Sequence, residues 1–195
     1  TRLVNSSNYE ITLSSFGYLA KNASPISRKF SAVVNANDLV YVIGGMTQAN
    51  SYPSSTYYSV NRMDIFDPET GSWSTGLNAP AQLSGHSAIF YDNRIYCFGV
   101  PNAIGSSNSF SVYVFDLETN SWYEGMAGGT PRIFYSTVLV EDRVYIWGGL
   151  TPSLEGGYVP CGVMDIYQIP YHPTTYEDDV RTKFPLVKDV GITFS

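Results

Sequence analysis

The segment DIFDPETGSW at residues 64–73 recurs with little change as YVFDLETNSW at residues 113–122. Six of the ten positions are identical, and the two copies lie 49 residues apart. In the first copy, Asp67 begins a tight turn and Gly71 is expected to take a positive φ as a bulge. Asn120 stands at the matching place of the second copy, and asparagine tolerates that conformation better than most residues.

Each copy belongs to a longer repeat that occurs three times. A first strand is predicted from FSAVV (30–34), HSAIF (86–90) and YSTVL (135–139), a second from LVYVIGG (39–45), RIYCFGV (94–100) and RVYIWGG (143–149), and a third from RMDIFD (62–67), VYVFD (112–116) and VMDIYQ (163–168). The first two repeats continue into a fourth strand that contains the tryptophan. The third repeat lacks this last segment.

This repeat predicts an all-β fold. No segment shows a 3.6-residue period over three turns, so helices are not expected. A period near 50 residues with four short strands means one small antiparallel sheet per repeat, and such a sheet must stack on its neighbours to bury both faces. Radial stacking of four-stranded sheets makes a β-propeller.

Three kinds of residue are expected to hold each sheet in place: turn residues, glycines, and the tryptophans Trp73 and Trp122, which should pack between neighbouring sheets. Asn and Asp in the turns between the first and second strands suit hairpins, because they bond their own backbone and tolerate left-handed dihedrals. Glycines after the second strand permit close backbone approach. The predicted structural residues of the repeat are Gly44, Gly45, Trp73, Gly99, Trp122, Gly148 and Gly149.

The pattern resembles the kelch repeat over roughly residues 26–168. In this family the first strand opens with a basic residue and small residues, as at 27–32 and 131–136 here. The second strand ends with two glycines. The second repeat, which opens at Gln82, has Gln where the family usually has Arg, and it carries Gly99-Val100 in place of the double glycine. The resemblance implies kelch-type propeller blades.

The predicted organisation is three repeats with two flanking segments. The repeats cover about 26–78, 79–127 and 128–168; residues 1–25 supply strands of an adjacent blade or a linker, and residues 169–195 form a tail or begin a further blade. Three blades do not close a ring. Three explanations stay open: the chain is a fragment of a longer protein, which we favour and which fits its start at Thr1; other chains or a second copy complete the ring; or the ends hold degenerate blades.

Composition excludes some partners and leaves the compartment unknown. The net charge is −6 and the 11 Lys and Arg residues do not cluster, so nucleic acid and anionic membrane surfaces are not expected partners. No apolar run is long enough to span a membrane. Cys97 and Cys161 are expected to be buried thiols, although one bridge is the alternative. The cytoplasm is slightly favoured, whereas the glycosylation triplets at Asn5 and Asn22 are compatible with secretion.

Catalytic chemistry has little support in the sequence. There are two histidines: His86 is expected to make a structural hydrogen bond, and His172 to lie in an exposed loop. No nucleophile, zinc or redox motif is present, so no catalytic residue, metal ligand or cofactor is predicted. Copper-radical oxidases similar to galactose oxidase also use a kelch-like propeller, but no segment here matches their ligand motifs.

The long segments after the second strands are the candidate binding loops. They span 46–59, 101–109 and 150–160, are rich in Ser, Asn, Gly and Tyr, and are expected to rise from one face of the propeller. Tyr gives large contact area at low entropy cost, which suits binding. Together with the arginines that open two strands, which could equally be structural, the resemblance implies these binding residues: Arg28, Tyr52, Tyr57, Tyr58, Asn108, Arg132 and Tyr158.

The predicted function is therefore a non-catalytic protein-binding module that acts as a scaffold or adaptor. The alternative is an extracellular propeller of a carbohydrate-related or oxidase-like kind. Fold resemblance alone does not choose between them.

Overall fold

The chain folds into small antiparallel sheets. The computed structural model describes residues 2–4, 10–12, 23–48, 56–99 and 109–170, and no helix occurs among them. The strands are β1 (Arg2–Val4), β2 (Glu10–Thr12), β3 (Ala32–Ala36), β4 (Leu39–Ile43), β5 (Met46–Gln48), β6 (Tyr57–Ser59), β7 (Met63–Asp67), β8 (Ser72–Thr75), β9 (Ser87–Tyr91), β10 (Arg94–Gly99), β11 (Ser111–Asp116), β12 (Ser121–Glu124), β13 (Ser136–Val140), β14 (Arg143–Trp147), β15 (Leu150–Pro152), β16 (Tyr158–Pro160) and β17 (Met164–Gln168).

Three of the sheets are the predicted blades. Blade 1 has the order β3-β4-β7-β8, blade 2 the order β9-β10-β11-β12, and blade 3 the order β13-β14-β17. Neighbouring strands within each blade are antiparallel. The hairpins β1–β2, β5–β6 and β15–β16 form separate two-stranded sheets. Blades 1 and 2 have the four strands predicted, whereas blade 3 has three among the described residues, and its repeat lacks the tryptophan segment.

The turns use the residues that the sequence indicated. Asn37 and Asp38 both have positive φ between β3 and β4, as do Asp92 and Asn93 between β9 and β10. In blade 3, Glu141 takes the left-handed conformation instead. Two consecutive left-handed residues match the twist of the flanking strands, which is why short hairpins prefer them.

The repeated Asp-x-x-Thr turn is closed by its own side chain. The Oδ1 atom of Asp67 accepts hydrogen bonds from the backbone N–H groups of Glu69 and Thr70, at 2.8 and 3.2 Å. Asp116 accepts two such bonds in the second copy, both at 3.0 Å. The predicted bulges are confirmed, since φ is +72° at Gly71 and +50° at Asn120.

The blades stack face to face, with their first strands adjacent. Strand β9 contacts β3 on one side and β13 on the other. One apolar cluster joins blades 1 and 2, and a second joins blades 2 and 3. Blade 2 is therefore covered on both faces, and every residue of β11 is buried. Among the described residues, blades 1 and 3 each have one face on which no further blade packs, so the described blades do not form a closed ring.

The double glycine of blade 1 lets the next blade approach its backbone. The N–H group of Gly45 donates to the carbonyl oxygen of Leu83 at 2.7 Å. At Gly44, where φ is +61°, an added Cβ would lie 2.4 Å from the same oxygen. The predicted close approach is thus confirmed between these two blades.

Tryptophan positions differ in what they contact. The Nε1–H group of Trp122 donates to the carbonyl oxygen of Leu77 at 2.9 Å, which ties the outer edge of blade 2 to blade 1. Trp73 packs on Phe66 within its own blade, with ring centroids 5.0 Å apart. Packing between neighbouring sheets is therefore observed for Trp122.

Both cysteines are buried free thiols, which confirms the favoured interpretation. Burial raises the pKa of the Cys97 thiol. The thiolate is the reactive form, so this burial keeps Cys97 inert.

Candidate functional site

Two of the candidate loops contain short hairpins, which the sequence analysis did not predict. Hairpin β5–β6 follows blade 1's second strand and β15–β16 follows that of blade 3. Each is joined to the segment before its blade's first strand by an isolated bridge, Lys29 with Met46 and Ile133 with Leu150. These bridges have the same place in the repeat, so both hairpins extend from the same side of the blades.

The hairpins present tyrosines at matching positions. Tyr57 pairs with Gln48 in the first hairpin, and Tyr158 pairs with Pro152 at the equivalent position of the second. Both tyrosines are exposed, and so is Tyr58. Three of the predicted binding residues therefore lie on one side of the molecule. Tyr52 and Asn108 lie outside the described residues.

Lys29 joins the first hairpin to the blade. Its Nζ atom lies 3.4 Å from the centroid of the Tyr57 ring and 5.4 Å from that of Phe30. The ammonium group is attracted to the negative face of each ring. This arrangement fixes a cation between two exposed aromatic side chains.

Phe30 and Phe134 form an exposed pair between blades 1 and 3. Their ring centroids are 4.6 Å apart, and the residues are 46% and 47% exposed. Gly85 of blade 2 connects their backbones: its N–H group donates to the oxygen of Phe30, and its oxygen accepts from the N–H group of Phe134, at 2.9 and 2.8 Å. We call Lys29, Phe30, Tyr57 and Phe134 the aromatic cluster.

The backbone of this pair is strained. The angle φ is +60° at Phe30 and +58° at Phe134, and +64° at Gly85, which has the same place in its repeat. Glycine adopts this conformation freely, whereas a bulky residue there is an outlier that costs roughly 1–3 kcal/mol. Blade 2 has a glycine at this left-handed position, whereas blades 1 and 3 have a large exposed phenylalanine there. Such exceptions concentrate at binding sites.

The two predicted binding arginines lie inside the blades. The Arg28 side chain is almost fully buried; it pairs with Asp64 and donates to the carbonyl oxygens of Gly44 and Arg62 at 3.2 and 3.0 Å. Burial lowers the pKa of Arg28, and the charge of Asp64 partly opposes that effect. Since a partner cannot reach this guanidinium in the described arrangement, the geometry supports the structural alternative.

Arg132 repeats this arrangement in blade 3. It is 1% exposed, pairs with Asp165 and donates to the carbonyl oxygen of Val163 at 2.6 Å. Although burial acts to raise it, the pKa of Asp165 is lowered overall by hydrogen bonds from Thr130 and by the charge of Arg132. The candidate binding surface therefore omits both arginines.

Blade 2 replaces the whole ion pair with apolar contacts. The strand register places Leu83, not Gln82, at the position of the two arginines, which corrects the sequence alignment. Tyr113 stands where the other blades have Asp64 and Asp165, because it pairs with the matching residue of the second strand. Leu83 and Tyr113 are buried in one cluster.

His86 does not make the structural hydrogen bond that was expected. Its side chain is buried, and neither ring nitrogen has a partner among the described residues. Burial lowers its pKa to about 3. The imidazole is therefore neutral at physiological pH. His172 lies outside the described residues.

Two kinds of feature are absent from the described residues. They contain no group of three or more His, Cys, Asp or Glu side chains placed to hold a metal ion. They also contain no helix long and apolar enough to cross a bilayer.

Comparisons with known proteins place the fold. The structure titled "Structure of YjhT" is similar to 75% of this chain and 55% of that chain, with a TM-score of 0.59 and 16% sequence identity. The chain thus spans about half the length of this relative. Curated proteins gave no match. A family model described as the KLHDC2/KLHL20/DRC7 Kelch-repeats domain matches residues 32–169. The three stacked sheets are kelch-type propeller blades, and the chain belongs to the Kelch-repeat family.

Proposed function

We propose that this chain is a non-catalytic protein-interaction module that acts as a scaffold or adaptor. The aromatic cluster and the two hairpins beside it are its binding surface. Membership in the Kelch-repeat family supports this proposal, because such domains commonly mediate protein interactions.

The observation that carries the proposal is the exposed pair Phe30 and Phe134 at strained positions. Large aromatic side chains dominate the energetics of many interfaces, and they do so best near the centre of the contact. Here two such rings stand together without a covering element among the described residues, in a left-handed backbone conformation that costs free energy for phenylalanine and that glycine adopts freely at the same place in blade 2.

The neighbouring side chains suit a protein partner. Lys29 adds a positive charge held against Tyr57, and the hairpin tyrosines add rigid area with few rotatable bonds. An apolar anchor residue on the partner would pack on the phenyl rings, with a carboxylate or carbonyl oxygen beside the ammonium group.

Photocrosslinking tests which surface is used. A benzophenone amino acid in place of Tyr57 is compared with the same substitution at Tyr123, which is exposed on the outer strand β12. We expect Tyr57 to capture a protein from the native source that Tyr123 does not. That protein is then purified, and its affinity for the unmodified chain is measured.

Affinity measurements with the purified partner test whether Phe30 and Phe134 contribute to binding. Phe30→Gly and Phe134→Gly should each weaken binding at least tenfold, and Met126→Ala, which alters an exposed apolar residue on blade 2, should not. Equal capture at both tyrosine positions, or full affinity of both phenylalanine variants, would contradict the proposal.

A further inference from the structure

The face of blade 3 that points away from blade 2 is strongly apolar, and no further blade among the described residues packs on it; we call it the uncovered face of blade 3. Side chains that alternate along β13, β14 and β17 point away from blade 2, and Val138, Trp147 and Ile166 are each more than half exposed. Contiguous apolar area of this kind marks an interaction surface in a folded protein. The equivalent face of blade 2 indicates what kind of surface would cover it.

Blade 2 shows what covers such a face. Strand register makes each residue of the uncovered face equivalent to a residue of blade 2 that is buried or half-buried in the interface with blade 3. The equivalent pairs are Val138 with Ile89, Val140 with Tyr91, Tyr145 with Tyr96, Trp147 with Phe98, Met164 with Val112, and Ile166 with Val114. The face of blade 3 therefore fits another blade.

The face of blade 1 that points away from blade 2 is the complementary one, and it is partly covered: Val33 is 60% exposed, Val42 is half-buried, and Asp64 is buried beside Arg28. Its residues are equivalent to those with which blade 3 packs on blade 2. The pairs are Val33 with Thr137, Val40 with Val144, Val42 with Ile146, Asp64 with Asp165, and Phe66 with Tyr167. The buried arginine beside the aspartate is also present in both blades. The chain thus carries both halves of its own blade-to-blade interface, at opposite ends of the stack.

We propose that two copies of this chain associate head to tail, with blade 3 of each copy packed on blade 1 of the other. The contact occurs twice and closes a ring of six blades. A head-to-tail interface that closes ends the assembly, whereas one that does not close grows a filament.

The first test is the mass of the purified chain in solution, by sedimentation velocity over a range of concentrations. We expect a compact species of twice the 21.5 kDa of one chain. A monomer at all concentrations would overturn the proposal, whatever other segment covers the face. Filaments or larger open oligomers would overturn the two-copy ring.

The second test uses one contact of the existing interface as a guide. The hydroxyl groups of Ser87 and Thr137 lie 2.5 Å apart across blades 2 and 3. Their equivalents on the faces that point away from blade 2 are Ser136 and Val33, the latter 60% exposed. Ser136→Glu and Val33→Lys should each shift the dimer to monomer, since each charge would be buried without a partner. Leu154→Lys, at a fully exposed position, should leave the dimer intact.

Mixing the two variants distinguishes head-to-tail association from other dimers. In the mixture, one interface carries neither substitution and the other pairs the new Glu with the new Lys. We expect the mixture to form a dimer that neither variant forms alone. If both variants are folded by circular dichroism and the mixture stays monomeric, the head-to-tail arrangement is wrong.

Discussion

Arg132 and Asp165 form an ion pair within blade 3 in which the guanidinium group is fully buried, and Leu83 and Tyr113 occupy the same two positions in blade 2. The same two positions of the repeat are therefore filled by an ion pair in blade 3 and by an uncharged pair in blade 2. Both members change together, which avoids leaving one buried charge without its partner.

The first prediction concerns this exchange. Arg132→Leu should lower the free energy of unfolding by about 3 kcal/mol, because Asp165 and the carbonyl oxygen of Val163 lose their partner. The double variant Arg132→Leu with Asp165→Tyr, which copies blade 2, should recover at least half of that loss. Urea denaturation measures both values.

Arg143→Leu is the matched control for these variants. Arg143 is exposed and bonds Gln168, so its loss should cost less than 1 kcal/mol. If the double variant loses as much free energy of unfolding as its two single variants lose together, the Leu–Tyr pair cannot replace the ion pair in blade 3.

The second prediction separates strain from binding in the aromatic cluster. Phe134→Gly relieves a left-handed conformation that costs roughly 1–3 kcal/mol, while it removes a ring that is about half exposed. We expect stability to change by less than about 1 kcal/mol and affinity for the protein partner to fall at least tenfold. A large loss of stability together with unchanged affinity would show that the ring is structural.

The third prediction is a pH effect from His86. Its pKa is lowered to about 3 in the folded chain and is near 6.5 in the unfolded chain, so below pH 6.5 the unfolded state takes up a proton that the folded state excludes. Stability should therefore fall as the pH drops from 6.5 towards 3. The expected loss between pH 7 and pH 5 is about 2 kcal/mol.

Comparison with His86→Asn isolates this effect. The carboxylates with lowered pKa values, Asp67, Asp116 and Asp165, lose their contribution only as the pH falls below their ordinary value of 3.8, so they do not interfere at pH 5. Urea denaturation at pH 7 and pH 5 should show a smaller difference for the variant. The same difference in both proteins would refute the assignment to His86.

The fourth prediction tests the approach of blade 2 to blade 1. Gly44→Ala places a Cβ 2.4 Å from the backbone oxygen of Leu83, in addition to the strain at φ +61°. We expect a loss of more than 2 kcal/mol. Gly156→Ala is the control, because φ there is +91° but nothing lies within 4 Å of the added atom, so its cost should be about 1 kcal/mol. Equal costs at both positions would contradict a steric contact between the blades.

The sequence predicted the blades well, because each strand has an apolar pattern and each turn has residues that suit it. The β5–β6 and β15–β16 hairpins were missed, since strands of three residues are too short to show an alternation of apolar and polar residues. A short polar strand pairs according to its surroundings, here the bridges at Lys29 and Ile133, and these depend on how the blade folds.

The candidate site was predicted only in part. The hairpin tyrosines were identified from composition, but Phe30 and Phe134 were not, although both align with Gly85 once the strand register is known. Burial of Arg28 depends on Asp64, which is 36 residues away, and on the register that brings the two strands together. The sequence did contain a signal for this burial: repeats 1 and 3 each have an Arg and an Asp at matching positions, and repeat 2 lacks both.

Blade 2, with both faces covered, has a consequence for local opening of the chain. Within one chain, the described strands of each blade pack only on strands of the neighbouring blade, so stability is distributed along the stack as in a linear array. In a monomeric chain such as the Ser136→Glu variant, amide hydrogens of β10 and β11 should exchange with deuterium most slowly and those of blade 3 sooner, because opening blade 3 then breaks one interface and opening blade 2 breaks two. The middle blade is thus the last part of the stack to open, and the outer blades can open separately from it.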